Sequence, residues 1–218
     1  ATLSEEPGPV LLEIAQEILN DTVDSLECEI QKPSKAEGDT TVVAQKLSEL
    51  ISTSARPLFI LGKGATRASS AVRTLAQRST IPCISTASGR GVIADSSSLC
   101  FTKDFSSGIG DTIPKLIEAA DRVFVFGAKL THNGTAGFEL ILPPEKLVRV
   151  DKSSDVSSAN YPSPQSFVGD CGKILNQLPT ITGLASYRSS WESKNLQALQ
   201  QSRLREIAKA LNDEPKIA

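Results

Sequence analysis

The apolar positions of this chain fall into short blocks of two alternating kinds. LFIL (58–61), RVFVF (122–126) and KLVRV (146–150) are near-continuous apolar runs of strand length, as strands covered on both faces usually are. IPCIS (81–85) is shorter and carries Pro82 near its start, and Ser166–Val168 has the size of a short edge strand. Between these blocks apolar residues recur at helical spacing. Val42, Val43, Leu47, Leu50 and Ile51 do so within Thr41–Thr53, and Ala71, Leu75 and Ala76 within Ala68–Arg78. Ile113, Leu116 and Ile117 repeat the pattern in Thr112–Ala120, and Lys173–Leu178 adds a last helical turn or two.

Strand, glycine turn, helix, strand is the order of a parallel α/β sheet with right-handed crossovers. The pattern predicts a three-layer, Rossmann-like domain, its sheet covered by helices on both faces, over about Thr40–Leu178. Two segments flank it. Val10–Leu19, entered through Gly8–Pro9, reads either as a helix or as a short strand, VLLEI, followed by a helical turn. Glu29–Asp39 is a polar linker with Pro33 and Gly38. From Tyr187 to Leu211 the chain is polar and helical, with Trp191, Leu196, Leu199, Leu204, Ile207 and Leu211 available to pack on this core or on a neighbour. The predicted division is 1–39, 40–179 and 180–218. Val10–Ile14 and Trp191–Leu211 are expected to expose apolar faces, through which an isolated chain would pair.

Composition narrows the classes. The 218 residues suffice for one sizeable core or two small ones. A net charge of -2 gives no broad basic field for nucleic acid, and no apolar run approaches the roughly 20 residues that span a bilayer. The opening ATLSEEPG is acidic and polar, unlike a secretory signal. Cys28, Cys83, Cys100 and Cys171 form no CxxC, which argues against zinc and against a disulfide scaffold. A reduced, cytoplasmic protein is expected. Methionine is absent even at position 1, as in a processed product or an excised piece.

Ligands of open parallel sheets bind at the carboxyl ends of the strands. Four segments fall there: Gly62-Lys63-Gly64, Ser85–Gly91, Gly127–Gly134 and Asp151–Val156. Backbone N–H groups over Gly64–Arg67, at the start of a helix, with the charges of Lys63 and Arg67, can receive a phosphate. Equally, Gly62 and Gly64 can serve only a tight turn and close packing. GKGA is neither GxGxxG nor a P-loop, so the motif leaves both readings open. Asp151 suits a ribose diol, or an Asx-turn cap for Lys152-Ser153-Ser154. Arg90, between two glycines, can pair with a pyrophosphate or a carboxylate. His132 has the pKa of a general base but nothing to orient it, and a solvated loop residue is the expectation. Cys83 and Cys171 sit among apolar residues as buried small side chains. No carboxylate dyad, GxSxG elbow or metal cluster emerges.

Taken in order, PLFILGKGA, IPCISTASGRGVI, AADRVFVFGAKL, KLVRVD and FVGD closely resemble the central domain of thiamine-diphosphate-dependent decarboxylases and carboligases of the acetolactate synthase, pyruvate oxidase and 2-hydroxyacyl-CoA lyase type. GPVLLEIAQEIL is similar to the end of that family's N-terminal, pyrimidine-binding domain, so the resemblance covers about Gly8–Leu178. It implies a subunit of three α/β domains, with thiamine diphosphate and Mg²⁺ held between the first and third and the catalytic glutamate in the first. The GDG…NN diphosphate motif is missing: Gly169-Asp170 is followed by Cys171-Gly172, and no NN pair follows. The resemblance therefore implies a chain inactive by itself. Residues 1–39 would be the tail of the pyrimidine-binding domain and its linker, and 180–218 a helical linker toward the diphosphate-binding domain. The parent would be a homodimer or homotetramer acting on 2-keto acids or related substrates, without nucleic acid or membrane as partners.

Some members hold FAD or ADP, or the nucleotide part of coenzyme A, on the central domain, and in many it is a structural spacer. The matching contact positions here are Gly62, Lys63 and Gly64, with Arg67 beside them, then Thr86, Gly89, Arg90 and Gly91, then Gly127, Ala128 and Lys129, and Asp151. Two departures count against FAD: Ser107-Gly108-Ile109-Gly110 replaces a GMHG-like loop, and KSSDV follows Asp151. The alternative is a free-standing nucleotide-binding α/β domain without catalysis. A dehydrogenase domain fits worse, lacking the dinucleotide fingerprint and a substrate half.

Overall fold

The computed structural model describes residues 9–20, 22, 39–101, 109–153 and 160–213. Cys28, the linker up to residue 38, Ser107-Gly108 and the Ser154–Val156 end of the fourth turn lie outside the described residues. The chain divides into two compact units, Ala1–Ala36 and Glu37–Ala218. In the first unit Val10–Leu19 forms neither expected element: its regular part is a 3-10 turn at Ile18–Asn20. Val10, Leu11, Leu12, Ile14, Ile18 and Leu19 are exposed, as expected for the first four positions. A strand needs a paired neighbour and a short helix a face to bury, and without either the apolar pattern does not organise the backbone.

The second unit opens with α1 (Thr40–Ser52), whose amino end is capped by the Asp39 carboxylate. That carboxylate accepts the N–H groups of Thr41 at 2.9 Å and Val42 at 3.4 Å. Strand β1 (Pro57–Leu61) is buried at every position and runs through a 3-10 helix (Lys63–Ala68) into α2 (Ser69–Ser79). Val72, Leu75 and Ala76 face inward on α2, while Ala71 stays half-buried. Then come β2 (Cys83–Ser85), α3 (Thr112–Ala119), β3 (Arg122–Phe126), β4 (Leu147–Asp151) and β5 (Gln165–Val168). Three helices follow, α4 (Cys171–Gln177), α5 (Thr182–Ala185) and α6 (Ser193–Asp213). Strand β2 starts at Cys83 rather than Ile81, because Pro82 has no N–H to give, although its carbonyl accepts the Phe59 N–H at 3.0 Å.

All five strands are parallel, in the order β2-β1-β3-β4-β5. The chain steps one way from β1 to β2 and the other way from β2 to β3. With right-handed crossovers, α2 and α3 must then lie on opposite faces. Helix α4 packs between α1 and α2, and α6 packs beside α3, giving the expected three layers. Phe59 on β1 and Phe124 and Phe126 on β3 cluster on one sheet face. Phe59 meets the other two edge-on at 5.7 and 5.2 Å.

The amino ends of the strands are tied off. The Asp121 carboxylate, just before β3, accepts the Ser54 hydroxyl and the N–H groups of Ala55 at 2.6 Å and Arg56 at 2.9 Å. Its pKa is the outcome of opposed effects: burial raises it, and these hydrogen bonds carry it below the ordinary aspartate range. Tyr187–Trp191 crosses the same end. The Tyr187 hydroxyl donates to the Ser54 carbonyl at 2.7 Å and the Trp191 indole N–H to the Pro57 carbonyl at 2.8 Å. Leu196 is fully buried, so α6 packs on this core. Of its other apolar residues, Leu199 and Ile207 are half-buried, and Leu204 and Leu211 are exposed.

Candidate functional site

The order of the strands places a topological switch between β1 and β3, where open sheets of this kind receive ligands. Here the turns leaving those strands touch one another. The Gly62 N–H donates to the Phe126 carbonyl at 2.9 Å, and the Gly64 N–H to the Gly127 carbonyl at 3.2 Å. A Cβ on Gly62 would stand 2.2 Å from the Gly127 oxygen, and one on Gly64 would stand 2.8 Å from the Gly127 Cα. Gly127 has φ +57°, and its own Cβ would lie 2.4 Å from the Gly64 Cα. Three glycines therefore let two backbones meet where larger residues would force them apart.

The second turn folds over the end of β1. The Thr86 N–H and hydroxyl both donate to the Leu61 carbonyl, at 2.9 and 3.1 Å. A Cβ on Gly89 would sit 2.1 Å from that same oxygen. Gly91 has φ +84° with open space around it, so its requirement is conformational alone. Ala128 is buried and Lys129 exposed on the turn after β3. Asp151 is buried at the end of β4, where its carboxylate accepts the Ser153 N–H at 3.3 Å, the Asx-type contact.

Backbone donors for a phosphate are partly committed: the Gly64 N–H as above, and the Ala65 N–H to the Gly62 carbonyl at 3.1 Å. The charged groups are more open. Lys63 and Arg67 lie four residues apart on the 3-10 helix with exposed side chains and no ion-pair partner among the described residues. Arg90 turns outward and faces Asp95 at 3.5 Å, both well exposed. An anion can therefore meet Lys63 and Arg67 at the rim, whereas a dinucleotide entering between β1 and β3 would have to part the glycine contact.

His132 is exposed in the loop after β3, with its ring edge-on to Phe138 at 5.5 Å. No group of three or more metal-ligating side chains occurs among the described residues. Cys83, Cys100 and Cys171 are buried. Burial first, and then nearby Asp151 and Asp170, hold the Cys171 thiol far above its ordinary range.

Arg149 escaped the sequence reading. It is fully buried on β4 and donates from Nη1 to the Tyr161 carbonyl at 3.1 Å and from Nη2 to the Ala128 carbonyl at 3.2 Å. It thus ties the turn after β3 to the chain entering β5. Burial lowers its pKa, an effect that Asp151 opposes. The available signal was an arginine inside an otherwise apolar strand.

These features define a doubly wound parallel α/β domain whose carboxyl edge is built from glycine turns. The chain matches the thiamine pyrophosphate enzyme central domain over residues 44–178, and it belongs to that family. Among similar proteins, a 2-hydroxyacyl-CoA lyase of Oryza sativa subsp. japonica is 30% identical over 146 residues, covering 60% of this chain and 24% of that protein. The Mus musculus 2-hydroxyacyl-CoA lyase 1 is 26% identical over 67% of this chain and 24% of its own length. A protein of Pseudomonas aeruginosa named "probable 2-ketoarginine decarboxylase" is 26% identical over 95% of this chain and 39% of its own length. The chain thus spans about a quarter to two-fifths of these relatives. No helix among the described residues is long and apolar enough to cross a membrane.

Proposed function

We propose that this chain is the non-catalytic, structural central domain of a thiamine-diphosphate-dependent lyase or decarboxylase acting on 2-keto acids or related 2-hydroxyacyl compounds. Thiamine diphosphate and Mg²⁺ would be held by the pyrimidine- and diphosphate-binding domains of the parent, a homodimer or homotetramer, and supply the carbanion-stabilising chemistry there. The observation that carries the structural role is the direct contact of Gly62 and Gly64 with Gly127, which fills the switch point with backbone. A domain closed in this way transmits position rather than binding across its crevice.

A second reading keeps FAD or ADP on this domain. The exposed Lys63 and Arg67 favour it, because two cations on one short helix at the rim suit a diphosphate. Titration calorimetry of the chain with ADP and with FAD separates the two. The structural reading expects no saturable heat up to about 1 mM, the weak end of specific affinity. Saturable binding that disappears in Lys63→Ala/Arg67→Ala would overturn it and install the nucleotide reading.

A further inference from the structure

The amino end of α3 is capped from far away in the sequence. Asp111 occupies the N-cap position, yet its side chain makes no capping hydrogen bond. The acceptor is Glu206 of α6. Its Oε1 receives the Thr112 N–H at 3.1 Å and the Thr112 hydroxyl at 2.7 Å. Arg203, fully buried one turn earlier, holds the other carboxylate oxygen at 3.1 Å and donates from the same Nη1 to the Ile109 carbonyl at 3.1 Å. Gly110 makes room for this pair. Its φ is +62°, and a Cβ there would stand 2.3 Å from Glu206 Oε2 and 2.7 Å from Arg203 Nη1.

Helix α6 lies beyond the family match at 44–178, and it runs along α3 from one sheet end to the other. Near its start Gln200 donates to the Ser97 and Cys100 carbonyls, beside the amino-end strap, and Leu196 is buried. Its later turns reach Ile109–Thr112, where the chain enters α3 at the carboxyl edge. Among the described residues, the side-chain cap at the amino end of α3 is thus borne by a helix that takes part in no strand pairing.

We propose that α6 is a latch: docked, its Arg203–Glu206 pair orders the 109–112 turn and caps α3; undocked, it releases that corner of the carboxyl edge. The latch makes whatever follows α6 a mechanical input to the edge. The inference does not depend on which reading of the nucleotide site holds.

Amide hydrogen exchange of the full chain tests it, comparing wild type with Glu206→Ala and Glu206→Gln. Loss of a helix cap corresponds to about a five- to tenfold change in a local equilibrium. Glu206→Ala is expected to raise exchange by that factor in residues 109–116 and 196–211 together, and to leave β1 and β3 unchanged. Glu206→Gln keeps an acceptor for Thr112 and is expected to show about a twofold rise, so it preserves the test if the alanine variant does not fold. Exchange that is unchanged, that rises in only one of the two segments, or that rises equally throughout the sheet would overturn the latch.

Discussion

Gly127→Ala measures how firmly the switch point is closed, and Gly91→Ala provides its reference. Both positions have φ in the left-handed region, +57° and +84°, so an alanine costs about 1 kcal/mol of backbone strain at either. Only Gly127 meets a neighbour there. Its new Cβ would lie 2.4 Å from the Gly64 Cα, whereas carbon contacts settle at about 3.5–4.0 Å, so the turns must part by about 1 Å. That separation carries the Gly64 N–H···O=C Gly127 bond, already 3.2 Å, past bonding distance, and strains the neighbouring Gly62 N–H bond to Phe126. Two backbone bonds at about 1 kcal/mol each, and more for a donor left unmade, bring the total to about 3–5 kcal/mol. This is a large fraction of the about 5–15 kcal/mol that holds a domain folded.

The assay is urea unfolding of both variants, followed by far-UV circular dichroism and by the fluorescence of Trp191, the single tryptophan. Gly91→Ala should lose about 1 kcal/mol and Gly127→Ala at least about 2 kcal/mol more. Equal losses at the two positions would refute the reasoning: the turns would then separate at little cost, and a ligand could enter between β1 and β3.

Two further perturbations probe the ties around the sheet. Asp121→Asn should cost about 1–2 kcal/mol at pH 7, since three donors converge on that carboxylate. Its folded pKa lies below its unfolded one, so the wild-type advantage is complete above the unfolded value, about 4, and is lost as pH falls through the folded value; urea titrations at pH 7 and pH 3 should show the gap between the two proteins narrowing, and a constant gap would count against the clamp. Arg149→Ala removes the donors to Ala128 and Tyr161 together with a buried side chain, for about 3–4 kcal/mol, while Arg149→Met keeps the volume and should cost about half as much. In both Arg149 variants hydrogen exchange of residues 128–136 should quicken, and an unchanged loop would mean that Arg149 serves packing alone.

The parallel sheet was legible because its apolar blocks are buried on both faces: LFIL and RVFVF read as strands from their continuous apolar runs, and the structure buries every one of those residues except the half-buried Arg122. Helices α1 and α3 were legible from their periodicity for the same reason. Val10–Leu19 misled because its apolar spacing describes a surface that is exposed among the described residues, and pattern without burial does not select a backbone. The glycine turns were visible, but whether Gly64 faced a phosphate or another glycine depended on Gly127, 63 positions later, and no local signal carries that pairing. Arg149 and Glu206 were hard to place for a related reason. Arg149 interrupts an apolar strand and Glu206 pairs with Arg203 three residues earlier, but neither local signal names the distant backbone group that each one holds.

These long-range ties share a design. Asp121 gathers the segment before β1, Arg149 gathers the turn after β3, Glu206 caps α3, and Gly62, Gly64 and Gly127 join the two central turns. Each one fixes a loop or a helix end at a rim of the sheet, and together they tie both rims of a small sheet rather than its already packed interior. A catalytic or binding crevice benefits from a gap between β1 and β3, whereas a spacer benefits from its removal. Glycine in these turns is compatible with both, because glycine permits the backbone to approach a phosphate and equally permits it to approach another backbone. The turn sequence therefore fits the fold with either use, and the 2.4 Å that would separate a Cβ at Gly127 from the Gly64 Cα is the close approach on which the proposed spacer role rests.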